Sequence, residues 1–228
     1  MVAAAVIDRS ERVLIAQRPL GKHLAGGWEF PGGKLEAGET RREGLARELR
    51  EEIGITIREP RPLIRLRHSY PYGDVLLDIW VVRRYRGEPR GLDRQQLRWC
   101  TQDELASADL LPADRPIVAA LRLPERLTRI SSPYYAVADA GPLGQPALSA
   151  DASNTTRLYG VFCTDAEEAL AAAKAGADFL VMRDAIADGA LAPLCESVTA
   201  PLFARGIKLE HAWALGASGI NQITAKRC

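Results

Sequence analysis

The sequence predicts two folded parts. Residues 1–125 read as an α+β sandwich, a mixed sheet between helices, and residues 158–228 as a truncated α/β half-barrel. Three observations predict this. The first 125 residues set short apolar or alternating runs around one strongly capped helix. Residues 126–157 are rich in Pro, Gly, Ser and Asn and lack periodicity, which reads as a linker. From Leu158 onward, apolar runs alternate with amphipathic stretches across short loops, the pattern of parallel strands joined by right-handed crossovers.

Taken in order, MVAAAVI and RVLIAQR read as a hairpin turned by DRSE, and WEF as a short extended piece running into Pro31-Gly32-Gly33. A helix follows. Thr40 is its predicted N-cap and Glu43, three residues on, completes a capping box. Leu45, Ala46, Leu49 and Ile53 make its apolar stripe, and Gly54 ends it. ITI, LIRLRHSY, VLLDIWVVRRY and QLRWC read as strands, TQDELASA and ADRPIVAAL as helices. In the second part LYGVFC, DFLVM, PLFARG and GINQI are the predicted strands, with a helix in each gap between them. Four strands are too few to close an eight-stranded barrel.

Composition narrows the function classes. A hydrophobic fraction of 47% supports real cores, and a net charge of +1 gives no bulk attraction to a nucleic-acid duplex or a membrane surface. No apolar run is long enough to span a bilayer, and no segment combines the parts of a secretion signal. Cys100, Cys163, Cys195 and Cys228 form no C-x2-C pair and read as reduced thiols, so the expected location is cytoplasmic.

The chemistry concentrates in residues 33–55. Gly33 is followed by Glu39, then by Arg47, Glu48, Leu49, Glu51, Glu52, Gly54 and Ile55. Glu48 and Glu52 are four apart and share a helix face, with Glu51 beside them. Three crowded carboxylates repel one another unless a cation neutralises them. A hard divalent ion, Mg²⁺ or Mn²⁺, takes such oxygen ligands together with phosphate oxygens. The alternative is a solvated acidic helix face.

The pattern G-x5-E-x7-R-E-U-x-E-E-x-G-U, where U is a bulky aliphatic, resembles the signature of the Nudix hydrolases. Residues 1–125 are similar to MutT-type members throughout, in AQRP, GGWEFPGGKLEAGE and LPADRPIVAAL. The resemblance implies a Nudix sandwich and Mg²⁺-dependent hydrolysis of a nucleoside triphosphate, above all 8-oxo-dGTP, to the monophosphate and pyrophosphate. Glu48, Glu51 and Glu52, with the Gly32 carbonyl, are the implied metal ligands. Glu48 is the favoured base, with Glu39 or Glu51 as the alternative, and Arg47 orients the carboxylates. Arg18 and His23 are implied to bind substrate, and Phe30 to meet the base. Glu29, Phe30, Pro31 and Gly32 line the implied site, partly through backbone groups. Two departures stand out. Asp114 occupies the position of a base-binding asparagine, and Arg98 that of a glutamate before a tryptophan. Either one metal site is weaker or an acid elsewhere substitutes.

The C-terminal part, in EEALAAAKAGADFLVM and PLFARGI, resembles the second half of a thiamine phosphate synthase-like barrel. That implies a noncatalytic half-barrel of TIM type, with Gly206 as a relic of a phosphate turn. Its exposed strand edge suggests a homodimer through this domain. Two other functions stay open. One is a housecleaning pyrophosphatase for another diphosphate, such as a damaged thiamine precursor or a dinucleoside polyphosphate. The other is a noncatalytic ligand-sensing protein.

Overall fold

The computed structural model describes residues 1–19, 21, 23–71, 73–131, 135–139 and 158–223. Its contacts divide the chain into two compact units. The first comprises Met1–Pro62 and Leu66–Val118, and the second is built mainly from residues after Ala119.

The first unit contains strands β1 (Val2–Arg9), β2 (Arg12–Gln17), β3 (Trp28–Glu29) and β4 (Gly32–Lys34), then helix α1 (Arg41–Ile53). Strands β5 (Thr56–Arg58), β6 (Arg61–Tyr70), β7 (Gly73–Val82), β8 (Arg84–Arg86) and β9 (Leu97–Cys100) follow. Helix α2 (Gln102–Ser107), a 3-10 turn (Pro112–Asp114) and helix α3 (Arg115–Ala120) come last. The main sheet runs β3-β2-β1-β7-β6, with β4 added to β1 and β9 to β2. It is mixed, as predicted: β1 pairs antiparallel with β2 and β4 but parallel with β7. The predicted turn is the β1–β2 turn, through Ser10 and Glu11, both at positive φ. A separate two-stranded ladder joins β5 to β8.

Helix α1 forms as its sequence dictates. Thr40 caps it, and the reciprocal bonds with Glu43 are both made. Gly54 ends it in the left-handed region at φ 74. Leu45, Leu49 and Ile53 are fully buried against Ala3, Ala5, Ile7 and Leu14 of the sheet. Ala46, placed on the stripe by the sequence, is only half-buried, and Gly44 is buried in its stead. Leu35 lies so close that a Cβ on Gly44 would sit 2.1 Å from it.

The second unit holds β10 (Arg126–Leu127), β11 (Tyr135–Asp139) and β12 (Leu158–Cys163), then α4 (Ala166–Lys174) and β13 (Phe179–Ala185). Helix α5 (Asp188–Ser197), β14 (Leu202–Arg205), α6 (Leu209–Ala214) and β15 (Gly219–Asn221) complete it. The sheet is parallel and ordered β10-β15-β14-β13-β12-β11, so β11 to β15 lie beside one another in chain order, as in a barrel wall. One side packs on the helices, with Leu180, Met182 and Leu202 of the sheet meeting residues such as Leu191 of α5. The other gathers Leu127, Tyr135, Val137, Phe179, Val181 and Phe203.

Two corrections follow. The stretch 126–157 is not all linker, and the unit has six strands among the described residues, not four. Arg126–Leu127 and Tyr135–Asp139 are strands at the two ends of the sheet. Their short apolar cores carry too little periodicity to register in sequence, yet Leu127, Tyr135 and Val137 each bury their side chains. Residues 132–134 and 140–157 of that stretch lie outside the described residues.

No helix among the described residues is long and apolar enough to cross a membrane. Cys100, Cys163 and Cys195 are buried free thiols, and burial pushes Cys163 and Cys195 up to about 12, which leaves them unreactive. Cys228 lies outside the described residues.

Phe179 is fully buried and meets Tyr135 and Phe203 edge-on, each at 5.9 Å between ring centroids. Phe179→Ala is therefore expected to destabilise the second unit by about 3–5 kcal/mol. Urea unfolding followed by circular dichroism would measure it, and a change below about 1 kcal/mol would remove this cluster from the core.

Candidate active site

One cavity of about 950 Å³ opens in the first unit. Glu48, Glu51 and Glu52 of α1 line it, together with Gly32 and Gly33 of β4. Arg18, His23, Glu29, Phe30 and Asp114 line the same cavity. So most of the residues singled out in the sequence come together. Glu39, Arg47 and Pro31 do not line it.

The acidic helix face is organised from behind by Arg47. Its Nε donates to Glu39 Oε1 at 2.7 Å. Nη1 donates to Glu48 Oε1 at 3.0 Å and Glu51 Oε2 at 3.2 Å. Nη2 donates to Glu39 Oε2 and to the Lys34 carbonyl, both at 3.0 Å. A guanidinium has five N–H groups, and these five contacts use them all. Glu39 also accepts the Glu36 backbone N–H at 2.9 Å. Arg47 first, then that amide, holds the Glu39 carboxyl down at about 2. The same hydrogen bonds, from Glu39 and then Glu48, raise Arg47 further above its ordinary value.

Glu39 lies off the cavity, and both its oxygens face Arg47. Its position fits an anchor for Arg47.

β4 and α1 approach closely, and glycine makes this possible. A Cβ on Gly33 would lie 2.2 Å from the Glu48 carboxyl carbon. A Cβ on Gly32, whose φ is +152, would lie 2.2 Å from the Ala3 carbonyl oxygen. Glu52 accepts the Gly32 N–H at 2.8 Å, and its own carbonyl accepts Leu92 N–H at 3.0 Å and Gln95 Nε2 at 2.9 Å. Those bonds fasten residues 87–96 to the end of α1. Pro31 is buried, and its carbonyl accepts the Ala5 N–H at 2.9 Å.

A second set of residues surrounds Asp114. Arg18 Nη1 meets Glu29 Oε2 at 2.5 Å. Arg18 Nε is buried and finds no acceptor among the described residues. The loop that carries His23 is closed by Arg18 N–H to the Gly27 carbonyl at 2.8 Å and Gly26 N–H to the Arg18 carbonyl at 3.0 Å. Phe30 is 3% exposed, so its ring is mostly core and only edges the cavity. Asp114, at 6% exposure, accepts a hydrogen bond from the Phe30 backbone. Burial, reinforced by Glu29, pushes its carboxyl well above the usual carboxylate range.

Sequence reasoning missed Tyr70, Asp74 and Asp93, which also line the cavity. Asp93 sits in the loop fastened to Glu52. At the position before Trp99, Arg98 stacks over the Trp28 ring at 4.8 Å. No spacing rule ties Asp93 to α1, so only the fold could find it.

The donor set fits a hard divalent cation. Three carboxylates face one cavity, and the space that Gly33 leaves is what admits Glu48. Among the described residues no three such groups already converge on one point, since Arg47 and the Gly32 amide hold their oxygens.

Comparison with known proteins agrees with this geometry. Residues 2–120, about half of the chain, match the family of the NUDIX domain, and the chain belongs to that family. It is a NUDIX hydrolase, an enzyme of the pyrophosphohydrolase class, and such enzymes generally use divalent metals. Similar proteins include the 8-oxo-dGTP diphosphatase of Escherichia coli (strain K12), 35% identical over 122 residues that span 53% of this chain and 95% of the relative. The CTP pyrophosphohydrolase of the same strain is 38% identical over 119 residues, spanning 52% and 88%. The 8-oxo-dGTP diphosphatase of Proteus vulgaris is 46% identical over 88 residues, spanning 38% and 79%.

Arg47 yields a pH prediction. Glu39 has a folded pKa below its ordinary value of 4.5, so its stabilising effect is present above that value and is lost as pH falls toward about 2. Arg47→Ala should unfold more easily at neutral pH and lose less additional stability over that acid range than the wild type. Thermal melts as a function of pH would show this, and parallel curves would contradict it.

Proposed function

We propose that the first unit hydrolyses a nucleoside triphosphate, above all 8-oxo-dGTP, to the monophosphate and pyrophosphate, with Mg²⁺ or Mn²⁺ as cofactor. The observation that carries this reading is one cavity lined both by the acidic face of α1 and by the group Arg18, His23, Glu29, Phe30 and Asp114. Its volume suits a nucleotide. The 8-oxo-dGTP diphosphatases among the relatives support the oxidised guanine nucleotide as substrate.

Glu48, Glu51, Glu52 and the Gly32 carbonyl would hold the cation. A divalent ion there screens phosphate charge and lowers the pKa of water. Glu48 is the favoured general base, because Gly33 gives its carboxyl room beside the cavity. Glu51 is the alternative, being more exposed and less constrained, at 59% side-chain exposure. Arg47 is a positioning residue that holds Glu48 and Glu51 together beside the cavity. Asp93 supplies the additional acid for the phosphate end. Arg18 binds substrate through its buried Nε–H, and His23 adds a second contact from the same loop. Phe30 bounds the base with its ring edge and backbone.

A second reading is a pyrophosphohydrolase for a cytidine nucleotide. The relative named CTP pyrophosphohydrolase, 38% identical, favours it. The second unit we read as a noncatalytic half-barrel of TIM type, like part of a thiamine phosphate synthase. Its strands in chain order support that, and its terminal strands β10 and β11 are candidates for homodimer contacts. Gel filtration at one-chain mass would count against the dimer.

Purified protein should release pyrophosphate from 8-oxo-dGTP only with a divalent cation present, and EDTA should abolish the release. Glu48→Gln and Glu52→Gln should each lower kcat at least about 100-fold. Wild-type turnover by both variants would refute the assignment. A kcat/KM for CTP above that for 8-oxo-dGTP would favour the second reading.

A further inference from the structure

The loop between β8 and β9 holds one buried side chain among exposed neighbours. Gln95 is 8% exposed, whereas Leu92, Asp93, Arg94 and Gln96 are exposed. Its amide makes a bond from each end. Nε2 donates to the Glu52 carbonyl at 2.9 Å, and Oε1 accepts the Asp93 N–H at 2.9 Å. Glu52 belongs to the last turn of α1, where carbonyls have no partner inside the helix. Leu92 N–H adds a second bond to the same carbonyl at 3.0 Å, and Arg90 N–H reaches the Ile53 carbonyl at 3.0 Å. The loop is therefore registered to the helix whose side chains form the acidic face.

We propose that Gln95 is a positioning residue whose side-chain amide sets the Asp93 carboxylate against that of Glu52, so that the loop acid and the helix acid act as one cation-binding unit. Both acids line the cavity. This rests on the hydrolase reading above, in which Asp93 serves the phosphate end of the nucleotide.

The backbone of the loop is shaped around this amide. A Cβ on Gly91 would lie 2.0 Å from the Gln95 carbonyl oxygen and 2.9 Å from Gln95 Oε1. Arg94 sits in the left-handed region at φ 63, uncommon for a residue with a side chain. Such a conformation persists only where the surroundings over-determine it, and here the bonds of Asp93 and Gln95 hold it from both sides. The chemistry of the bridge calls for an amide. It donates at one end and accepts at the other, whereas a glutamate would set an acceptor against the Glu52 carbonyl. An apolar side chain of equal length would leave the Asp93 N–H without its acceptor. Groups that orient a ligand of an ion, without touching the ion, typically govern about 10–100-fold in affinity or activity.

A double-mutant cycle on the full chain tests this. Mn²⁺ affinity is read from the paramagnetic resonance of free Mn²⁺, and kcat from 8-oxo-dGTP hydrolysis with Mg²⁺. Gln95→Met keeps the length of the side chain and removes both bonds. It should weaken Mn²⁺ binding and lower kcat by about 10-fold or more. In an Asp93→Asn background the same substitution should cost less than about twofold, because the carboxylate it positions is gone. A purely structural role would give the same loss in both backgrounds. Equal losses, or Gln95→Met with wild-type Mn²⁺ affinity, would overturn the inference. A second measurement needs no variant. Amide exchange followed by NMR should show the Asp93 N–H protected within its exposed loop, and exchange at the rate of an unstructured peptide would overturn the inference. The two readings fail separately. Wild-type turnover with equal losses rejects the role of Gln95 and keeps the hydrolase. Background-dependent loss of Mn²⁺ affinity with no nucleotide turnover keeps the role of Gln95 and rejects the hydrolase.

Discussion

The guanidinium of Arg47 is the constraint on which the first unit's chemistry depends. Glu39, Glu48 and Glu51 would repel one another if left to themselves, and water would draw them apart. One planar cation with five N–H groups ties them to each other and to the Lys34 carbonyl. Lysine would not substitute, because a point charge with three rotating donors cannot hold that fork geometry. The arrangement also leaves each carboxylate something to give. Glu39 accepts three hydrogen bonds and lies off the cavity, whereas Glu48 and Glu51, each with one oxygen on Arg47, line it.

The cavity accordingly has two chemistries built by two different means. The acidic face is set by helix geometry: a capped, amphipathic α1 fixes the phase of every glutamate once Leu45, Leu49 and Ile53 are seated on the sheet. The group around Asp114 is assembled from separate pieces, the end of β2, the end of β3 and a 3-10 turn far along the chain. Burial does the tuning there. Arg18 pairs with Glu29, and burial, reinforced by Glu29, raises the carboxyl of the third ionisable side chain, Asp114, above the usual carboxylate range.

This difference explains what could be read in advance. Residues 33–55 gave up their structure because each rule involved is local: the Thr40–Glu43 box, the apolar stripe, the left-handed Gly54. The strands of the second unit were equally legible where each exceeded a few apolar residues. Arg126–Leu127 and Tyr135–Asp139 were not, because a two- or five-residue strand at a sheet end borrows its stability from a partner distant in sequence. The place of Asp93 on the cavity was hidden for the same reason, and so was the position of Glu39 off it. Gly33 was visible as part of a turn, but the need for glycine comes from Glu48 lying where a Cβ would be.

Glu52 is tied into the structure three ways, by its carboxylate to Gly32 and by its carbonyl to Leu92 and Gln95. Three chain segments therefore meet at one residue. Divergence in the 87–96 connection between β8 and β9 is consequently not free. A change of length between Leu92 and Gln95 would tug on the last turn of α1, and the Arg90 N–H holds the same turn through the Ile53 carbonyl at 3.0 Å. A surface loop of ordinary composition thus acts as a tuning peg for the enzyme's acid.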